Sequence, residues 1–154
     1  MTHTSVTMPN SVLLGEVRNL IREGRSVIIM TKGLSMLPFI VGRKDSVLLE
    51  GCDSVKPGDI ALAEISEGTY VLHRVIAADG GTVTLRGDGN LRGVEKCPSS
   101  GIVGVVREIR HADGSSTDPN SASQMRRWRR WQGLPYIVRR YWLAIYRRLK
   151  HITI

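Results

Sequence analysis

Leu13, Val17, Leu20 and Ile21 fall on one face at helical spacing and predict an amphipathic helix over about 11–23. Asn10 or Ser11 suits its N-cap, and Gly24 suits a left-handed stop. Val27-Ile28-Ile29-Met30 then forms an unbroken apolar run, the mark of a buried strand over 26–31. Further short runs predict strands at Ser46–Leu49, Ile60–Ile65, Tyr70–Ala77, Thr82–Arg86 and Ile102–Ile109. Turn sequences separate them: Gly42-Arg43-Lys44-Asp45, Lys56-Pro57-Gly58-Asp59 and the hairpin signal Ala78-Asp79-Gly80-Gly81. The expected fold is mainly β, an antiparallel domain with an N-terminal amphipathic helix.

The pattern changes after His111. Residues 113–123 are rich in Ser, Asp, Asn and Gly and read as a flexible linker. From 124 onward Arg126-Arg127-Trp128-Arg129-Arg130-Trp131 alternates arginine pairs with indoles, and Gly133-Leu134-Pro135 breaks the run. On a helical wheel Leu134, Ile137, Val138, Tyr141, Trp142, Ile145, Leu149 and Ile152 share a broad face. Arg139, Arg140, Arg147 and Lys150 lie opposite, with Arg148 at its edge. The expected organisation is a β domain over 1–112, a linker over 113–123 and a basic amphipathic tail over 124–154.

Charge sharpens this division. The net charge is +8, yet residues 1–124 hold 13 Lys/Arg against 14 Asp/Glu, while residues 125–154 hold 9 and no acid. A near-neutral domain thus carries a basic appendage. A basic amphipathic helix with aromatics suits an anionic membrane surface, contacted through residues 126–150. A partner helix is the next reading, and nucleic acid, bound by phosphate contacts and stacking, is the least favoured. No stretch approaches the roughly 20 apolar residues of a membrane span. Residues 1–9 are polar and lack the basic start of a secretory signal. A cytoplasmic or membrane-peripheral location is expected. Cys52 and Cys97 make no disulfide framework, and no Cys/His spacing suggests zinc, so neither metal nor cofactor is expected.

The chemistry concentrates where the first strand ends, at Lys32-Gly33-Leu34-Ser35-Met36-Leu37-Pro38. A turn of this kind holds a serine out of the sheet beside backbone N–H groups that can receive an oxyanion. A serine needs a neighbouring base to become nucleophilic, and a neutral histidine serves near pH 7. A carboxylate on the other ring nitrogen fixes the tautomer. Ser35, His73 and Asp88 of Gly87-Asp88-Gly89-Asn90 fill these three roles. Strand alternation puts Val71, His73 and Val75 on one face and Arg74 on the other. The plainer alternatives are a surface turn, a structural histidine and a second turn at Asp88. His3, His111 and His151 carry no functional signal, and Lys32 is taken as solvated.

Four boxes in order, Ser35-Met36-Leu37-Pro38, Gly58-Asp59-Ile60, His73-Arg74-Val75-Ile76 and Gly87-Asp88-Gly89-Asn90, resemble the signal peptidase I / LexA-type serine peptidase superfamily over about residues 25–110. Histidine at the base position makes the chain most similar to the endoplasmic-reticulum and archaeal Ser-His type. The resemblance implies a serine endopeptidase that cuts an extended leader or precursor peptide. Ser35 would be nucleophile, His73 base and Asp88 the third member, with Glu95 a less favoured alternative. Arg74 would brace the fold, by pairing with a carboxylate. The oxyanion would rest on backbone N–H groups of Gly33 and Ser35, since Gly33 stands where bacterial signal peptidases carry a hydroxyl. The peptide would add to a sheet edge, against Ile29, Met30, Met36, Val71 and Leu72. The lack of a spanning anchor departs from signal peptidases. A non-catalytic peptide-binding or scaffolding protein on the same fold is the competing class. A self-cleaving regulator is disfavoured, because too little chain precedes the serine for a DNA-binding domain and a cleavage linker.

Overall fold

The computed structural model describes residues 3–7 and 11–149. Its elements in chain order are β1 (His3–Thr7), α1 (Ser11–Arg22), β2 (Ser26–Met30), β3 (Ser46–Glu50), β4 (Ile60–Ser66), β5 (Thr69–Asp79), β6 (Thr82–Arg86) and β7 (Glu95–Pro98). A 3-10 turn at Ser99–Gly101 leads into β8 (Ile102–Arg110), followed by β9 (Ser116–Thr117), α2 (Ala122–Gly133) and α3 (Tyr136–Leu149). The strands form one curled sheet in the order β1-β2-β3-β8-β4-β5-β6-β7, with β9 on β8. All pairings are antiparallel except β1 with β2. The mainly β fold with an N-terminal helix and C-terminal helices matches the expectation from the sequence.

Strand alternation sorts the apolar residues into two cores on opposite faces. Ile60 and Leu62 join Val27, Ile29, Val47 and Leu49 beneath α1, which contributes Leu14, Val17 and Ile21. Ala61 and Ala63 face the other way, with Val75, Val83, Leu85, Cys97 and Val105. A strand covered on both sides needs apolar residues at every position, so β4 shows no polar alternation in its first half. Cys52 and Cys97 are both free thiols. Backbone bonds Arg25 N–H to Leu20 O and Gly24 N–H to Ile21 O close α1 at the glycine stop. The expected cap at Asn10 lies outside the described residues.

Three strands carry no readable sequence signal. β1 is mostly polar, β7 is Glu-Lys-Cys-Pro, and β9 has two residues. Each is defined by what it pairs with, not by its own pattern.

The expected linker, 113–123, is bound to the domain. Within it β9 pairs with β8, Pro119 is buried, and Asn120 Nδ2 donates to Asp59 Oδ1 at 2.8 Å. Its small polar residues serve local turns, with Asp113 accepting from Ser115 N and Asp118 from Asn120 N. Nor is the region from 124 a separate appendage. Ser121 caps α2, accepting from Gln124 N, and α2 buries both Trp128 and Trp131. Leu37, Val41, Trp131 and Leu143 form a third apolar cluster that joins both C-terminal helices to the loop after β2. Trp142 lies edge-on to Trp131 (5.8 Å) and stacks on Tyr146 (5.1 Å).

Trp128→Ala should therefore destabilise the whole domain, by about 3–5 kcal/mol in urea unfolding. Tyr141→Ser, on an exposed face of α3, should stay within about 0.5 kcal/mol of wild type. If the tail were detached, both changes would leave the midpoint unmoved.

Candidate active site

The site begins with a buried arginine. Arg74 on β5 is 2% exposed, and a guanidinium so deep needs its charge and donors matched. Its Nη2 donates to Asp88 Oδ2 at 2.7 Å, its Nε to both Asp88 oxygens at 3.2 and 3.3 Å, and its Nη1 to Gly58 O at 3.0 Å. The rings of Phe39 and Trp128 each lie 5.2 Å from its Cζ. Trp131 Nε1 donates to Asp88 O at 2.8 Å. Burial pushes the Asp88 carboxyl up, while the charge and hydrogen bonds of Arg74 work against that shift.

This cage holds the loop Gly87–Asn90 against the serine turn. Gly89 N–H donates to Ser35 O at 2.8 Å. A Cβ at Gly87 would lie 2.4 Å from Ser35 O, 2.9 Å from Asn90 Nδ2 and 3.1 Å from His73 Nε2. A Cβ at Gly89 would meet the carbonyls of Leu34 and Leu37 at 2.8 and 3.1 Å. Both glycines are thus required by close backbone approach, and they bring Ser35 and His73 to the same place.

Ser35 and His73 line one cleft of about 150 Å³, together with Thr31, Lys32, Gly33, Met36, Ile40, Gly42 and the β5 residues Tyr70, Val71 and Leu72. His73 pairs with Ala61 across β4 and is buried, and Ser35 is half-buried. His73 Nδ1 lies 3.0 Å from Glu95 Oε2. A carboxylate only accepts, so Nδ1 is the donating nitrogen of this contact, and in the neutral imidazole Nε2 then presents a lone pair. Among the described residues nothing hydrogen-bonds to His73 Nε2, to the Ser35 hydroxyl, or to the backbone N–H of Gly33 or Ser35. Burial and a hydrogen bond to Glu64 raise the Tyr70 phenol at the cleft wall.

Asp88, expected from the sequence as the third member, makes no hydrogen bond to His73. Its carboxylate is committed to Arg74, and the group on the His73 ring is Glu95, the alternative ranked second from the sequence. β7 delivers Glu95, through its pairing with Leu85 on β6. Among the expected groove residues, Met36, Val71 and Leu72 line the cleft. Ile29 does not: it is fully buried in the core beneath α1, because it points to that face of β2. Met30 is exposed at the end of β2 and is not part of the cleft wall. The Gly58-Asp59 box is structural. Gly58 O receives Arg74, and Asp59 accepts from Lys56 N and Asn120 Nδ2. His111, read from the sequence as carrying no function, bridges Asp45 (3.3 Å) and Thr117 (2.7 Å) on the far side of the serine loop.

No protein-family model matches the chain, and no curated protein matches it.

The two carboxylates should separate cleanly on mutation. Asp88→Ala strands a buried guanidinium and should cost about 3–5 kcal/mol in denaturant unfolding. Glu95→Ala, at the edge of the site, should keep the fold. It should release the His73 ring from the Nδ1–H tautomer, which nitrogen-15 NMR of the imidazole reads directly.

Proposed function

We propose that the chain is a serine endopeptidase using Ser35, His73 and Glu95, a relative of the signal peptidase I / LexA-type enzymes it resembles. One observation carries this reading: a histidine held by a carboxylate at Nδ1, with no hydrogen bond at Nε2 among the described residues, lines the same cleft as Ser35. In the reaction, Ser35 Oγ attacks the scissile carbonyl carbon as His73 Nε2 takes the hydroxyl proton. The carbonyl oxygen becomes an oxyanion, and the N–H groups of Gly33 and Ser35 are available to bind it. Collapse of the tetrahedral intermediate breaks the C–N bond, and His73 returns the proton to the leaving amine. Water then hydrolyses the acyl-enzyme by the same proton route. The Ser35 hydroxyl and Nε2 close to bonding distance when substrate fills the cleft, as catalytic contacts in empty sites often do.

The substrate reading follows from the edge of β5. β6 pairs with β5 only from Arg74 to Asp79, whereas β4 pairs with it from Thr69 to Arg74. The stretch before His73 thus has strand hydrogen-bonding capacity on the cleft side, which suits an extended peptide. Met36, Val71 and Leu72 offer an apolar wall to its side chains.

Labelling with a serine-directed acylating probe tests this reading. Wild type should be modified at Ser35, and Ser35→Ala and His73→Ala should not be. Glu95→Gln should slow labelling by about 10²–10⁴-fold. Wild type reacting no faster than Ser35→Ala would overturn the enzyme. Retained binding of extended peptides by such an inert protein would favour the peptide-binding class instead.

A further inference from the structure

The C-terminal hairpin turns its two helices to different uses. α2 spends its indoles on the interior, under Arg74 and the serine loop. α3 docks by Leu143, with Tyr146 and the preceding Leu134 packed alongside. That contact uses only one edge of the broad apolar face legible on the helical wheel, through Leu134 and Trp142. Ile137, Tyr141, Ile145 and Leu149 follow one another at intervals of four and are 63, 66, 58 and 73% exposed. Val138 and Trp142 widen the stripe and are also exposed. A stripe of this size on a helix outside the core marks a binding face.

The surrounding charge selects the occupant. Arg140 and Arg148 on α3 are exposed, as are Arg126, Arg129 and Arg130 on α2, and residues 125–154 contain no acid. A second copy of this helix would bring like charges together across the stripe without a compensating carboxylate from either hairpin. A nucleic acid would leave the aliphatic residues Ile137, Ile145 and Leu149 unburied. A surface with anionic groups above an apolar layer satisfies both parts at once. We propose that α3 lies in the plane of an anionic lipid bilayer, with Ile137, Tyr141, Trp142, Ile145 and Leu149 in the acyl boundary and the arginines at the headgroups. α3 also contacts Leu34 and Leu37 of the serine loop and Leu91 beyond the Gly-Asp-Gly-Asn turn. The bilayer surface would then stand about 10 Å, one helix diameter, from the loop that carries Ser35. This proposal is independent of the peptidase reading, and its test uses no turnover.

The probe is sedimentation with vesicles of phosphatidylcholine alone, or of phosphatidylcholine mixed with phosphatidylglycerol. Wild type should pellet with the anionic vesicles, not with the neutral ones, and be released by raised salt. Ile137→Ser with Ile145→Ser should abolish pelleting while circular dichroism and the unfolding midpoint stay as in wild type. Arg140→Gln with Arg148→Gln should weaken the association about 25-fold, near fivefold for each arginine. Equal binding to both vesicle types, or to neither, would overturn the proposal. So would a dimer in light scattering that the serine variants dissolve and anionic vesicles do not compete with.

Discussion

A guanidinium cannot be left alone in a protein interior, and this fold is arranged around one that is not alone. Arg74 draws on five separate pieces of chain: Asp88, the Gly58 carbonyl, Phe39 beyond the serine turn, Trp128 of α2 and its own strand. Removing any partner leaves a desolvated charge or an open void, so the pieces are interdependent. The pair itself contributes specificity more than net stability, since desolvation offsets much of its attraction. What it specifies is the position of Gly87–Asn90, and through the bond from Gly89 N–H to Ser35 O, the position of the serine turn.

Period and turn chemistry made much of the sheet legible. β2, β3, β4, β5, β6 and β8 each bury apolar residues on at least one face and end in turn sequences. β1, β7 and β9 were not legible, because their membership depends on a neighbour's open edge. The site was legible to the same degree. Ser35 and His73 share a cleft, as their boxes implied, but the choice between Asp88 and Glu95 turned on β7. An aspartate in a glycine turn looks available. Only the fold reveals that the arginine beside the histidine, pointing from the opposite face of β5, has already engaged it.

The C-terminal region was misread for a related reason. Its composition suggested an appendage, yet composition does not distinguish an indole that faces lipid from one that covers an arginine. Trp128 and Trp131 are interior residues in a very basic helix, and the arginines between them are carried outward by helical geometry. α3 then reverses the usual rule, docking with only one edge of its broad apolar face and leaving the wider stripe outward.

The cage around Arg74 also orders events during synthesis. Trp128 and Trp131 are translated well after Asp88, whose carbonyl receives the indole of Trp131, 43 residues further along the chain. Until they emerge from the ribosome, Arg74 has an open flank, and the loop that steadies Ser35 lacks its backing. A nascent chain therefore carries its serine and histidine for a period in which the geometry joining them is incomplete. Assembly of the cleft becomes a late step, coupled to the same helical hairpin whose outer side remains bare.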